Sequence, residues 1–198
     1  MPIALIGIFL WTLTLALGVF VAYMFFLNLN RLLAAIKRRV PLVPSSRALR
    51  DAVIKEINTH YPHMKTVCDI GGGYGGLGRA IGHGCGMHVT SIEVLPFPAL
   101  VSKTADILTR VGSKTIWADA FKYLSASYEK FDIVVAYLGP EFNARLPEIL
   151  GGARVLITLS MPVPRLSAIR EVEIPNGGIT RFGRVLYPNR LFVYEFSD

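Results

Sequence analysis

Asp69-Ile70-Gly71-Gly72-Gly73-Tyr74-Gly75-Gly76-Leu77-Gly78 follows a short β-prone run, Lys65-Thr66-Val67-Cys68, and precedes Arg79-Ala80-Ile81, where a helix begins. Six of the eight residues from Gly71 to Gly78 are glycine, an entropic burden that an ordinary turn does not require. A strand, a glycine loop and a helix in that order let a ligand approach the backbone closely and meet the free N–H groups of the helix N-terminus. The glycine spacing alone is ambiguous. Gly71-x-Gly73-x-x-Gly76 and Gly73-x-Gly75-x-x-Gly78 both fit a dinucleotide loop, and Gly71-x-Gly73-x-Gly75 fits a tighter one.

Acids at three strand ends separate these readings. Asp69 closes the first strand, where a dinucleotide loop usually carries an apolar residue. Glu93 closes Thr90-Ser91-Ile92-Glu93, and Asp119 closes Thr115-Ile116-Trp117-Ala118-Asp119. In an open α/β sheet these carboxylates meet at the carboxyl edge of consecutive strands, where such sheets bind ligands. The pattern resembles the seven-strand S-adenosylmethionine-dependent methyltransferases. On that resemblance Glu93 holds the ribose hydroxyls, Asp119 with the backbone of Ala120 reads the adenine edge, and Phe121 packs on the ring. Gly71, Gly73 and Gly75 then admit the methionine end, and Asp69 receives its ammonium group. The residues allow a plainer role for Asp69, as a cap on the turn that follows it.

Downstream, strands expected at His88–Glu93, Lys114–Asp119, Phe131–Tyr137 and Ala153–Leu159 alternate with helices, which implies a mostly parallel α/β sheet covered on both faces. Three further runs, Ile169–Ile174, Arg181–Leu186 and Leu191–Phe196, read as strands joined by Pro-Asn-Gly-Gly and Tyr-Pro-Asn turns. An antiparallel strand is expected to finish this Rossmann-like sheet.

The N-terminus is of another kind. No charged side chain occurs from Ile3 to Leu27, and 25 residues of helix run about 37 Å against a hydrocarbon core of about 30 Å. The run lacks the polar stripe of a core helix, and the basic n-region and small-residue cleavage site of a signal peptide. It reads as a transmembrane helix. Arg31, Lys37, Arg38 and Arg39 follow, with no acid before Asp51, which places the remainder on the cytoplasmic, or matrix-equivalent, side. The expected organisation is an anchor over 1–30, a basic flank and Pro-rich linker over 31–46, and a catalytic domain over 47–198.

Those four cations are most of the formal net charge of +7 and leave 17 Lys and Arg against 14 acids elsewhere. Such a balance argues against a nucleic-acid partner and for anionic lipid headgroups near the anchor. Two cysteines, Cys68 and Cys85, suggest no disulfide framework. His83, Cys85 and His88 are close in sequence, but they lie where a helix returns to the next strand, opposite the ligand edge, and no metal is assigned.

Taken in order, a single N-terminal span, a basic flank, Val40-Pro41-Leu42-Val43-Pro44-Ser45, the glycine loop and Tyr137-Leu138-Gly139-Pro140-Glu141-Phe142-Asn143 after strand four are similar to the membrane-anchored protein-lysine methyltransferases. That family includes the mitochondrial enzymes that modify the ATP synthase c-subunit and the adenine nucleotide translocase. The resemblance implies S-adenosyl-L-methionine as cofactor and a lysine of a membrane protein as acceptor, with a lipophilic small molecule as the chemical rival; by their position after strand four, Tyr137, Glu141 and Asn143 are expected to orient the acceptor. Pro140 and Glu141 are equally ordinary at a helix start. One departure is clear: the family's Gly-x-Gly-Asp-Gly-Arg reads Gly71-Gly72-Gly73-Tyr74-Gly75-Gly76 here. Three classes stay open on the sequence: a tethered methyltransferase acting on lysine or on a lipophilic small molecule, an NAD(P)-binding oxidoreductase, and a non-catalytic cofactor-binding adaptor.

Overall fold

The computed structural model describes residues 2–37, 42–127, 129–150, 152–174, 179–181, 184–187 and 189–196. The chain divides into two units, Met1–Val40 and Pro41–Asp198. The first is one helix, α1 (Pro2–Lys37). Within it Gly7–Phe25 is long and apolar enough to cross a membrane, with a mean hydropathy of 2.1. The helix passes the expected anchor end at residue 30 without a break. The residues that follow, Arg31-Leu32-Leu33-Ala34-Ala35-Ile36-Lys37, are good helix formers, and no proline or glycine interrupts them before Pro41.

The second unit opens with α2 (Arg47–His60), started by Ser46, whose Oγ accepts the Leu49 N–H at 3.2 Å. Then come β1 (Thr66–Ile70), α3 (Gly76–Cys85), β2 (His88–Glu93), α4 (Pro96–Thr109), β3 (Ser113–Trp117), α5 (Ala120–Ala126) and β4 (Ile133–Ala136). The single turn α6 (Pro140–Asn143), β5 (Val155–Leu159), β6 (Arg170–Glu173), β7 (Ile179–Arg181), β8 (Arg184–Tyr187) and β9 (Arg190–Glu195) complete it.

Seven strands form one sheet in the order β3-β2-β1-β4-β5-β9-β6. β1 to β5 are parallel, and β9 runs antiparallel between β5 and β6. The antiparallel strand expected from the tail therefore stands one place inside the edge, because the earlier strand β6 occupies the rim. The run expected as one strand over Arg181–Leu186 is split. Arg181 of β7 pairs with Arg184 of β8 in a separate antiparallel two-stranded sheet.

Strands β4 and β5 are buried at every position, as expected of strands covered on both faces. One face packs Val67, Val89, Ile133, Val135 and Ile157 beneath α2 and α3, through Leu49, Val53, Ile57, Leu77 and Ile81. The other joins Cys68, Ile70, Ile92, Val134 and Leu156 to Ala120, Leu146 and Tyr194. A polar clasp fixes α2 against the last strands. The Arg170 Nε donates to Glu56 Oε1 at 2.8 Å, and the Tyr61 hydroxyl donates to Glu195 at 2.7 Å.

Candidate active site

The carboxyl ends of β1, β2, β3 and β4 bring the glycine loop, Glu93, Asp119 and the turn after Ala136 to one edge of the sheet. Gly71, Gly73 and Gly75 all have positive φ, at 75°, 56° and 72°. Only glycine takes this sequence of conformations without strain. The loop is braced from β2: the N–H groups of Gly71 and Gly72 both donate to the Ile92 carbonyl, at 2.9 and 3.2 Å. A side chain at Gly71 would run into Leu138, and one at Gly72 or Gly78 into Ser91. The loop is thus wedged between the tips of β2 and β4.

Asp69 is buried beneath this loop. Ser91 Oγ donates to its Oδ2 at 3.2 Å, and the Gly78 N–H also bonds it. These contacts tie it to the neighbouring strand β2 and to the first turn of α3. Burial is the main force on its acidity, and the carboxyl is pushed up to about 7.

Glu93 is 4 % exposed and bridges two backbone segments. Its Oε2 accepts the Gly73 N–H and its Oε1 the Leu95 N–H, both at 2.7 Å. Burial raises its pKa, against the opposing pull of the N–H groups of Leu95, Gly73 and Val94. A carboxylate has about four acceptor sites, so these N–H groups do not exhaust it.

Asp119 is exposed and caps α5, its Oδ1 accepting the N–H groups of Phe121 at 3.0 Å and Lys122 at 3.4 Å. Ala120 is buried under it. The Phe121 ring lies 6.4 Å from that of Phe142, with the Arg145 guanidinium 4.3 Å over its centre. The three acceptor-side residues differ in exposure. Glu141 is exposed on the first turn of α6, whereas Asn143 is fully buried and its Nδ2 donates to the Met161 carbonyl at 2.8 Å, tying α6 to the end of β5. The Tyr137 hydroxyl is buried and its ring packs against the core.

Several residues at this edge were not evident from sequence. Leu42, from the linker, comes within 3.5 Å of where a Cβ on Gly73 would stand, an ordinary van der Waals contact that sets the linker beside the loop. Arg79 donates to the Tyr74 carbonyl at 2.6 Å and pairs with Asp106 of α4 at 3.4 Å. Asp106 also accepts the hydroxyls of Ser113 and Thr115 at 2.8 and 2.6 Å. No local pattern marks Asp106, whose side-chain partners lie on two other elements, α3 and β3. Tyr74, the residue that departs from the family loop, sets its ring edge-on to Phe97 at 6.5 Å.

No family model matches the chain, and no curated protein matches it. Solved structures do share its fold. An RNA methyltransferase from Salinibacter ruber in complex with S-adenosyl-L-homocysteine aligns with a TM-score of 0.62 at 16% identity, over 77% of this chain and 93% of that one. An O-methyltransferase from Bacillus cereus, also in complex with S-adenosylhomocysteine, gives 0.59 at 13% identity over 85% and 90%. Magnesium protoporphyrin IX methyltransferase from Synechocystis PCC 6803 with bound S-adenosylmethionine gives 0.56 at 16% identity over 73% and 76%. The second unit has the α/β fold of the S-adenosylmethionine-dependent methyltransferases, with its seven-strand sheet and inserted antiparallel strand.

Proposed function

We propose that this chain is an S-adenosylmethionine-dependent methyltransferase tethered to a membrane, and that it methylates the amine of a lysine in a membrane protein. The observation that carries the cofactor is the cradle: three alternate positive-φ glycines, Gly71, Gly73 and Gly75, after β1, with an acid at the tip of β2 and another two residues past the end of β3. A Cβ at Gly73 would project into the space under Leu42, and its absence fits a ligand lying along the loop. Glu93 would accept the ribose hydroxyls, Asp119 and the Ala120 backbone would face the adenine, and the loop backbone would meet the methionine end.

The cofactor supplies an electrophilic methyl group on a sulfonium. The chain's task is to align a neutral nucleophile with it and exclude water, which requires no strong base. Of the acceptor-side residues, Glu141 is the one an incoming amine can reach, while Asn143 holds the α6 turn in place. A lysine must lose its proton before attack, and an apolar surround promotes that loss. The fold does not select the acceptor, since its neighbours include RNA, porphyrin and O-methyltransferases. The lysine reading rests on the apolar helix Gly7–Phe25 and on the sequence resemblance.

Two measurements test this reading. Calorimetry on the purified protein should give binding of S-adenosylhomocysteine and none of NAD; the reverse pattern would reject the cofactor. Glu93→Ala should weaken that binding by about 1.5–3 kcal/mol through loss of charge-assisted bonds, and an unchanged affinity moves the ribose elsewhere. With methyl-labelled cofactor and native membranes, label retained by protein after solvent extraction supports lysine, and label leaving with the lipid fraction rejects it.

A further inference from the structure

Helix α4 is turned against its own hydrophobicity. Its inward side is made of Pro98, Ala99, Ser102 and Asp106. Its exposed side carries Phe97, Leu100, Val101, Ile107 and Leu108, between 38 % and 77 % exposed. With Thr104, these residues follow the spacing i, i+3, i+4, i+7, i+10 and i+11, a single stripe on the face opposite the buried one. Polar bonding holds the helix this way round: Ser102 pairs with Thr115 at 2.6 Å, and Asp106 takes Arg79, Ser113 and Thr115. Beside the stripe stand Tyr74, edge-on to Phe97, and Trp117, whose Nε1 donates to the Val94 carbonyl at 3.1 Å. Of the nine large apolar side chains exposed among the described residues of the second unit, eight lie on this helix or at the tips beside it; Ile169 is the exception. An apolar surface so concentrated marks an interaction site.

We infer that the exposed stripe of α4 is a membrane-contacting surface that lies in the headgroup region of an anionic bilayer and brings the rim of the cofactor cleft to it. Charge favours that occupant. The stripe bears no acid, the helix's one carboxylate is turned inward on Asp106, and Lys103 and Arg110 are exposed at its flanks. A helix with an apolar face and basic flanks is suited to lie in the plane of the interface, and Trp117 and Tyr74 at its margins suit headgroup depth. From Phe25, where the apolar span ends, the rest of α1 adds about 18 Å and the chain from Lys37 to Arg47 at most about 35 Å, so the tether holds the domain within about 53 Å of the bilayer. This inference rests on the membrane reading of α1 given above, and deepens it: a substrate embedded in the same bilayer would meet the cleft at the membrane surface.

The test uses the full chain in vesicles of three parts phosphatidylcholine to one of phosphatidylglycerol. Nitroxide labels are placed singly at Thr104→Cys on the stripe, Ser125→Cys on α5 and Trp11→Cys in α1, each with Cys85→Ser. Collision rates with oxygen, which concentrates in lipid, and with a water-soluble nickel chelate are then compared. The expected result is an oxygen preference at position 104 several-fold above that at position 125, together with a strong preference at position 11. A label at 104 that matches the aqueous label at 125, while position 11 stays lipid-like, overturns the inference and leaves the tether standing. An aqueous signature at position 11 overturns both. A label at 104 shielded from both reagents, equally in vesicles and in lipid-free amphipol, means that protein covers the stripe, a second copy included, and overturns the bilayer as its occupant.

Discussion

Asp69 and Glu93 are both carboxylates at strand tips, yet their surroundings separate them. Asp69 is enclosed beneath the loop, where the Ser91 hydroxyl donates to it, and its carboxyl is raised to about 7. The folded protein therefore holds this proton up to about pH 7, whereas the unfolded chain releases it near pH 4. Between those values the unfolded state binds fewer protons, so this group's contribution to stability is fully present below pH 4 and is lost as pH rises through 7. Its slope approaches about 1.4 kcal/mol per pH unit. Denaturation of the full chain in detergent across pH 4–8 should show this fall, and Asp69→Asn should flatten it; an unchanged slope would assign it to another group. At Gly75, with φ at 72° and its missing Cβ facing Ser102, Gly75→Ala should destabilise the protein by roughly 1–3 kcal/mol and weaken S-adenosylhomocysteine binding, readable by denaturation and calorimetry.

At the level of elements, α2 has a local start and a distant lock. Ser46 caps it, and Ser46→Ala should cost about 1 kcal/mol in denaturant titration, without changing cofactor affinity. The lock is Glu56 and Tyr61 against Arg170 and Glu195, more than a hundred residues apart in sequence. The glycine loop is built in the same mixed way. Its positive-φ residues follow from composition, while its brace comes from Ile92, Ser91 and Leu138 on neighbouring strands.

For the whole molecule, the apolar helix and the α/β fold are separate units, and among the described residues neither core cluster includes one before Leu49. Removing residues 1–40 should leave S-adenosylhomocysteine affinity within about twofold while lowering turnover on a membrane acceptor by on the order of a hundredfold, the effect of losing a high local concentration. Equal turnover with and without the helix would show that the tether does not act by proximity. Full-length protein should also stay in the pellet after carbonate extraction; its release would refute the anchor.

Features written in local pattern were readable in advance: the apolar run of α1, the strand–glycine–helix unit, the alternation of strands with helices, and the acids at three strand ends. Each is set by residues within a few positions of one another, where periodicity and turn chemistry act directly. The tertiary structure alone decided the rest. It placed β9 inside β6, enclosed Asp69 under the loop, occupied Glu93 with the N–H groups of Gly73 and Leu95, and buried Asn143 while leaving Glu141 exposed. It also decided which side of α4 is buried. Hydrophobic pattern would turn Phe97, Leu100, Val101 and Leu108 inward, but bonds from Ser102 and Asp106 to Arg79, Ser113 and Thr115 hold the opposite face against the sheet. The partners of that network come from α3 and β3, and a buried carboxylate without them carries a heavy desolvation cost, so the orientation of the helix follows from contacts that no local stretch of sequence contains.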